Sequence, residues 1–180
     1  MRLLHGSSLK VDSGQVLRGR GEAYIRDWSN CDFYQALERH RPSKMIAHHD
    51  AVFMCASVED VDLAGGVQDF ILVIEPVGAV TRHDVNWSSR ISCLMGDGHE
   101  INGPEVAQAA AAYWAGTPAP DEQVWEYLCR EARVVFCFPE DAIVEGLVNP
   151  DLLISSQSAT LALSGRTRNP NTPTPESIHP

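Results

Sequence analysis

No apolar run in this 180-residue chain approaches the roughly 18 residues of a membrane-spanning helix, and its start, MRLLHGSS, lacks the long apolar core of a secretory signal. The expected location is therefore the cytoplasm. The five cysteines (Cys31, Cys55, Cys93, Cys129, Cys137) are scattered without a C-x-x-C pair, a pattern that is neither a disulfide framework nor a zinc site. Cys55, Cys129 and Cys137 stand in apolar runs and read as small core residues. Basic side chains are scarce over most of the chain: residues 51–164 carry four Lys and Arg against seventeen Asp and Glu, within a formal net charge of −10. Affinity for DNA or RNA rests on neutralising phosphates, so this charge argues against a broad nucleic-acid footprint. Also missing are a Walker loop, a G-x-G-x-x-G turn, a G-x-S-x-G elbow, an H-E-x-x-H helix and any internal repeat.

A hydrophobic content of 44% is enough for one sizeable core. Residues 1–164 are expected to form a single domain and residues 165–180, GRTRNPNTPTPESIHP, a disordered tail. Apolar runs read as strands at 2–5, 51–56, 70–74, 124–129 and 132–138, the last two close enough to pair as a hairpin. Helices are expected from Asp32 to before Pro42, from Ser57 and Asp60 to Gly65-Gly66, from Pro104 to Trp114, and just after Pro139. Residues 9–29 show no period and read as loop with one short helical turn, and residues 152–155 as a last strand or docked coil. Strands and helices outside strict βαβ alternation define an α+β protein.

Residues 1–50 hold eight Lys and Arg against six Asp and Glu, which makes the first third the natural place for an anion. Three motifs stand in order along the chain. They are Leu4-His5-Gly6-Ser7 at a strand end, Val52-Phe53-Met54-Cys55-Ala56-Ser57 running toward Gly65, and Trp125-Glu126-Tyr127-Leu128. This order resembles the ADP-ribosyltransferase superfamily, particularly the branch of diphtheria-like toxins and poly-ADP-ribose polymerases, over roughly residues 2–138.

The resemblance implies a split mixed sheet with short helices and NAD⁺ as substrate. It implies a mono-ADP-ribosyltransferase of bacterial or phage type, a toxin or effector that moves ADP-ribose to an unidentified macromolecular or small-molecule acceptor and releases nicotinamide. Within the His5-Gly6-Ser7 motif, His5 would hydrogen-bond a ribose hydroxyl and the Gly6 backbone would hold the nicotinamide amide, where a side chain would block close approach. Phe53 would pack against the nicotinamide ring. Glu126 would stabilise positive charge as nicotinamide leaves, an arrangement worth most in a water-poor pocket. The chain departs from the family at three points: Phe53 replaces a tyrosine, no second aromatic stands near Ala64-Gly65, and Val124 stands where the arginine-modifying motif has Glu or Gln.

Read without the resemblance, His5 is a polar strand end, Phe53 a core residue, and Glu126 a carboxylate that strand alternation turns outward if Trp125 and Tyr127 are buried. Arg41 or Lys44 is placed to hold the NAD⁺ pyrophosphate, or simply to complement a helix C-terminus. His48-His49-Asp50 is discounted as a metal site because neighbours on an extended segment point apart. Arg82-His83-Asp84-Val85-Asn86-Trp87 is rich in recognition side chains and is expected to supply the acceptor site or one wall of the NAD⁺ pocket. Two rival readings share the scaffold: a degenerate transferase fold used as a binding or inhibitory protein, and an RNA 2′-phosphotransferase, which the shortage of arginines disfavours.

Overall fold

A computed structural model describes residues 1–64, 66, 69–120 and 122–155. Strands β1 (Leu3–Ser7), β2 (Val16–Arg18), β3 (Val52–Cys55), β4 (Phe70–Val77), β5 (Thr81–Asp84), β6 (Trp125–Cys129) and β7 (Glu131–Pro139) form one sheet in the order β2-β7-β4-β1-β3-β6-β5. Every described pairing is antiparallel, so the α+β class holds while the sheet is antiparallel rather than mixed. Helices α1 (Glu22–Trp28), α2 (Asp32–Arg39), α3 (Asn86–Gly96), α4 (Pro104–Trp114), α5 (Asp141–Val144) and α6 (Pro150–Ser155) surround it, with a 3₁₀ turn at His48–Asp50. Among the described residues no helix is long and apolar enough to cross a membrane. The expected tail from residue 165 lies outside the described residues.

β4 is a continuous apolar run because both of its faces are covered. Leu72 and Ile74 join a cluster with Leu3, Met54 and Val134, while Ile71 and Val73 join one on the opposite face with Leu4, Val61 and Phe138. A third cluster ties the helices to the other half of the sheet. Val106, Ala109, Ala110 and Tyr113 recur at helical spacing along α4 and pack with Leu37, Ile91 and Leu128. The alanines let α4 lie close, and Trp114 Nε1 donates to the Leu37 carbonyl at 2.8 Å.

Several expectations change. β6 and β7 are not a hairpin: β6 pairs with β3 and β5, and β7 with β4 and β2. Only Arg130 separates the two strands, fewer residues than the two-residue loop of a tight hairpin. The helix expected after Ser57 is a set of turns over 58–64, where Val61 N–H reaches the Val58 carbonyl and Ala64 N–H the Asp60 carbonyl. Residues 9–29 hold strand β2 and the two-turn helix α1. Residues 150–155 are helical.

Gly19, ahead of α1, packs against the backbone of residues 49 and 50. A Cβ there would stand 2.2 Å from the Asp50 carbonyl carbon and 2.5 Å from the His49 oxygen, both backbone. Gly19→Ala must therefore displace the chain that carries His48. We expect a loss of roughly 1–3 kcal/mol in urea unfolding, and an unchanged midpoint would show that the segment yields freely.

Candidate functional site

β3 lies between β1 and β6, so the strands carrying His5, Phe53 and Glu126 are adjacent. β1 meets β3 in one described register pair, Leu4 with Cys55. Beyond it the His5 side chain takes the place of a backbone partner, with Nδ1 donating to the Phe53 carbonyl at 2.8 Å. This bond leaves Nε2 as an acceptor. Burial lowers the His5 pKa, only partly offset by the bond to Phe53, which favours that neutral form.

Two cavities share one wall. The first, about 420 Å³, is lined by Glu126, Tyr113, His48, Trp28, Tyr24 and Phe53 among others. The second, about 380 Å³, is lined by His5, Gly6, Ser7, Arg18, Arg20, Tyr24 and Phe53 among others. Each volume lies within the ~300–1,000 Å³ range common for small-molecule sites. Tyr24 and Phe53 border both cavities and stack on each other, with centroids 5.3 Å apart and planes at 8°. His48 stacks on Phe53 as well, at 5.7 Å and 9°. Phe53 therefore already has two aromatic neighbours in parallel stacks.

Glu126 faces inward. Its side chain shares a face with Leu128, its residue is 5% exposed, and Trp125 and Tyr127 are only half-buried on the other face. Burial raises the Glu126 pKa, while His48 and a hydrogen bond donated by the Tyr113 hydroxyl at 2.6 Å pull it back. Tyr113 is fully buried, which pushes its phenol far up and keeps it neutral. Its hydroxyl lies 2.9 Å from His48 Nε2, and His48 Nδ1 lies 2.7 Å from Glu38 Oε1.

The other expected residues fall out as follows. Gly6 and Ser7 continue β1, paired with Ile71 and Phe70, and both line the second cavity. Arg41 borders neither cavity. Its Nε donates to Glu38 Oε2 at 2.9 Å and its Nη1 to the Met45 carbonyl at 2.8 Å. The cations on the second cavity are Arg18, bonded to Glu131 at 2.8 Å, and Arg20, paired with Asp27. From the 82–87 run only Val85 lines the Glu126 cavity, while Arg82 lies over the Trp125 ring at 4.0 Å. His48 sits in a 3₁₀ turn rather than an extended segment, and its ring nitrogens face Glu38 and Tyr113.

Sequence reasoning missed Tyr24, Trp28, Tyr113, Arg18 and Arg20. For Tyr113 a signal existed, because its position on the apolar stripe of α4 buries a hydroxyl that needs a polar partner. For Tyr24 there was none, since α1 has no legible period. No protein-family model matches the chain, and none of the curated proteins matches its sequence.

Proposed function

We propose that the protein is an NAD⁺-dependent mono-ADP-ribosyltransferase that releases nicotinamide and transfers ADP-ribose to an acceptor. The observation that carries this reading is the inward burial of Glu126 at a cavity whose Phe53 wall also borders the cavity of His5 and Gly6. A carboxylate in such a place has the position needed to stabilise an oxocarbenium ion, because few waters screen it. The single pairing of β1 with β3 supports the split sheet that the family implies.

In this reading His5 Nε2 accepts from a ribose hydroxyl, and the Gly6 backbone holds the nicotinamide amide. Arg18 and Arg20, rather than Arg41, meet the pyrophosphate. Catalysis requires the two cavities to join, so Tyr24 swings off Phe53 and nicotinamide takes its place on the ring. Acceptor attack at the anomeric carbon forms the new glycosidic bond as the bond to nicotinamide breaks.

The test is nicotinamide release from NAD⁺ by the purified protein beside Glu126→Ala, with calorimetric NAD⁺ binding for both. Release that depends on Glu126 supports the enzyme. The absence of both binding and release overturns it in favour of a second reading, a non-catalytic binding or inhibitory scaffold. That second reading draws on the two rings already stacked on Phe53. Arg20→Ala is expected to weaken NAD⁺ binding about tenfold, the scale of one charge-assisted hydrogen bond; an unchanged Kd would remove Arg20 from the pyrophosphate site.

A further inference from the structure

We infer that Tyr113, His48 and Glu38 form a proton line that keeps Glu126 ionised, with His48 carrying the compensating positive charge. This deepens the proposed function by naming what sets the charge on its central carboxylate, and the test below is read without NAD⁺.

The geometry gives an unbroken path. Glu126 Oε1, the Tyr113 hydroxyl, His48 Nε2 and, across the imidazole, His48 Nδ1 and Glu38 Oε1 are joined by contacts of 2.6, 2.9 and 2.7 Å. Glu38 is anchored at its other end, since Oε1 also accepts from the His48 backbone N–H at 2.9 Å and Oε2 from Arg41. Every polar atom on the path has a partner. The line has two self-consistent proton arrangements.

In one arrangement Glu126 is a carboxylic acid that donates to the Tyr113 oxygen, Tyr113 donates to His48 Nε2, and neutral His48 donates from Nδ1 to Glu38. In the other Glu126 is a carboxylate, Tyr113 donates to it, and His48 is an imidazolium donating at both nitrogens. Passing from the first to the second, Glu126 gives its proton to the Tyr113 oxygen as Tyr113 gives its own to His48 Nε2. Tyr113 ends neutral, and no bond between heavy atoms changes.

Burial and the Asp84 charge favour the first arrangement, and a cation on His48 the second. Among the described residues, the titratable groups facing Glu126 are Cys55 on β3, His83 and Asp84 on β5, Tyr113 on α4, Tyr24 on α1, His48, and Asp62 across the cavity. Lysine and arginine are absent from this set. His83 has Nδ1 donating to the Tyr113 carbonyl at 2.8 Å and Nε2 at 2.8 Å from the Thr81 hydroxyl, bonds that suit the neutral ring. Burial holds its pKa down at about 4, with the bond to Tyr113 only partly compensating. His48 is thus the group able to face Glu126 as a cation. It is held there by a carboxylate whose second oxygen is bound to arginine, and Glu38, His48 and Tyr113 act as positioning residues for Glu126.

The test is the ¹³C NMR titration of the Glu126 side-chain carboxyl, assigned by its loss in Glu126→Gln, in the full chain without ligand. His48→Gln is expected to raise the midpoint by about one pH unit or more, because it removes the cation, and Tyr113→Phe to raise it as well, because it removes the hydrogen bond that joins the carboxylate to the line. Trp114→Phe, a neighbour packed on the same His48 ring with centroids 5.0 Å apart, is expected to leave it in place. A midpoint unmoved in His48→Gln, or moved equally by Trp114→Phe, would overturn the proposal. Should His48→Gln not fold, the ¹⁵N shifts of the His48 ring in the wild type at pH 7 decide: two protonated ring nitrogens uphold the proposal and a single one overturns it. Failure of nicotinamide release in the wild type would count against the proposed function and leave this titration intact.

Discussion

If the proposed transferase reading holds, a Glu126→Gln variant loses nicotinamide release by about 100- to 1,000-fold, the usual scale for removing one preorganised charge-stabilising group, and it is expected to melt higher than the wild type. The substitution keeps the shape and an oxygen that accepts from Tyr113, so it removes charge and little else. Burial is the largest influence on this carboxyl and raises its pKa above 4.5 in the folded protein. A group that binds its proton more tightly when folded contributes stability that is complete below 4.5 and declines as pH rises through the raised value. At neutral pH the ionised Glu126 is therefore a cost to folding. The neutral amide relieves it, a trade of stability for activity common at catalytic carboxylates. Thermal melts at pH 7 check the point: a variant that melts lower would mean that the attraction between His48 and Glu126 outweighs desolvation.

Glu38→Gln is expected to act in the opposite sense. Burial alone would raise the Glu38 pKa, but hydrogen bonds from the His48 ring and backbone, the His48 charge and the Arg41 bond prevail and hold it at about 2. Its side chain is 19% exposed, so solvent screens these bonds only in part. A depressed carboxyl contributes stability above its unfolded value of 4.5, lost as pH falls toward 2. A gap of that size corresponds to on the order of 3 kcal/mol at neutral pH. Urea unfolding should show a loss of roughly this size for Glu38→Gln at pH 7 and a shrinking difference toward pH 2–3. Equal losses at both pH values would show that packing, rather than charge, is what Glu38 provides.

Both residues illustrate what could be read before the structure. The strands around Phe53, Ile71 and Glu126 are legible because each is a short apolar run whose burial dominates its local energetics. Helix α4 is legible because Pro104 fixes its start and the alanines favour it. Helix α1 is not, because its burial rests on Tyr24 alone and no side chain caps its start. The pairing of β6 with β3 instead of β7 is also invisible, since register depends on partners 73 and 71 residues apart, as in Met54 and Tyr127 or Cys55 and Glu126. At the site, Glu126 and Phe53 are singled out by the motifs that resemble the transferase family, whereas their strands alone make Phe53 a core residue and leave the side of Glu126 open. Glu38 is not singled out, because a glutamate on an amphipathic helix looks like solvent-facing charge until the 48–50 turn folds onto it.

The two ends of the sheet bear on how the molecule behaves in company. An open antiparallel sheet offers unpaired backbone groups along each outer strand, a template on which another chain can add. Here one outer strand, β2, is only three residues long and carries Arg18 clasped to Glu131, while the other, β5, is four residues long with Arg82 spread over Trp125. Short borders fringed with guanidinium groups discourage edge-to-edge joining, and a net charge of −10 adds long-range repulsion between copies. Raising the salt, which screens that repulsion, is the condition under which copies of the chain are expected first to self-associate, as light scattering would read.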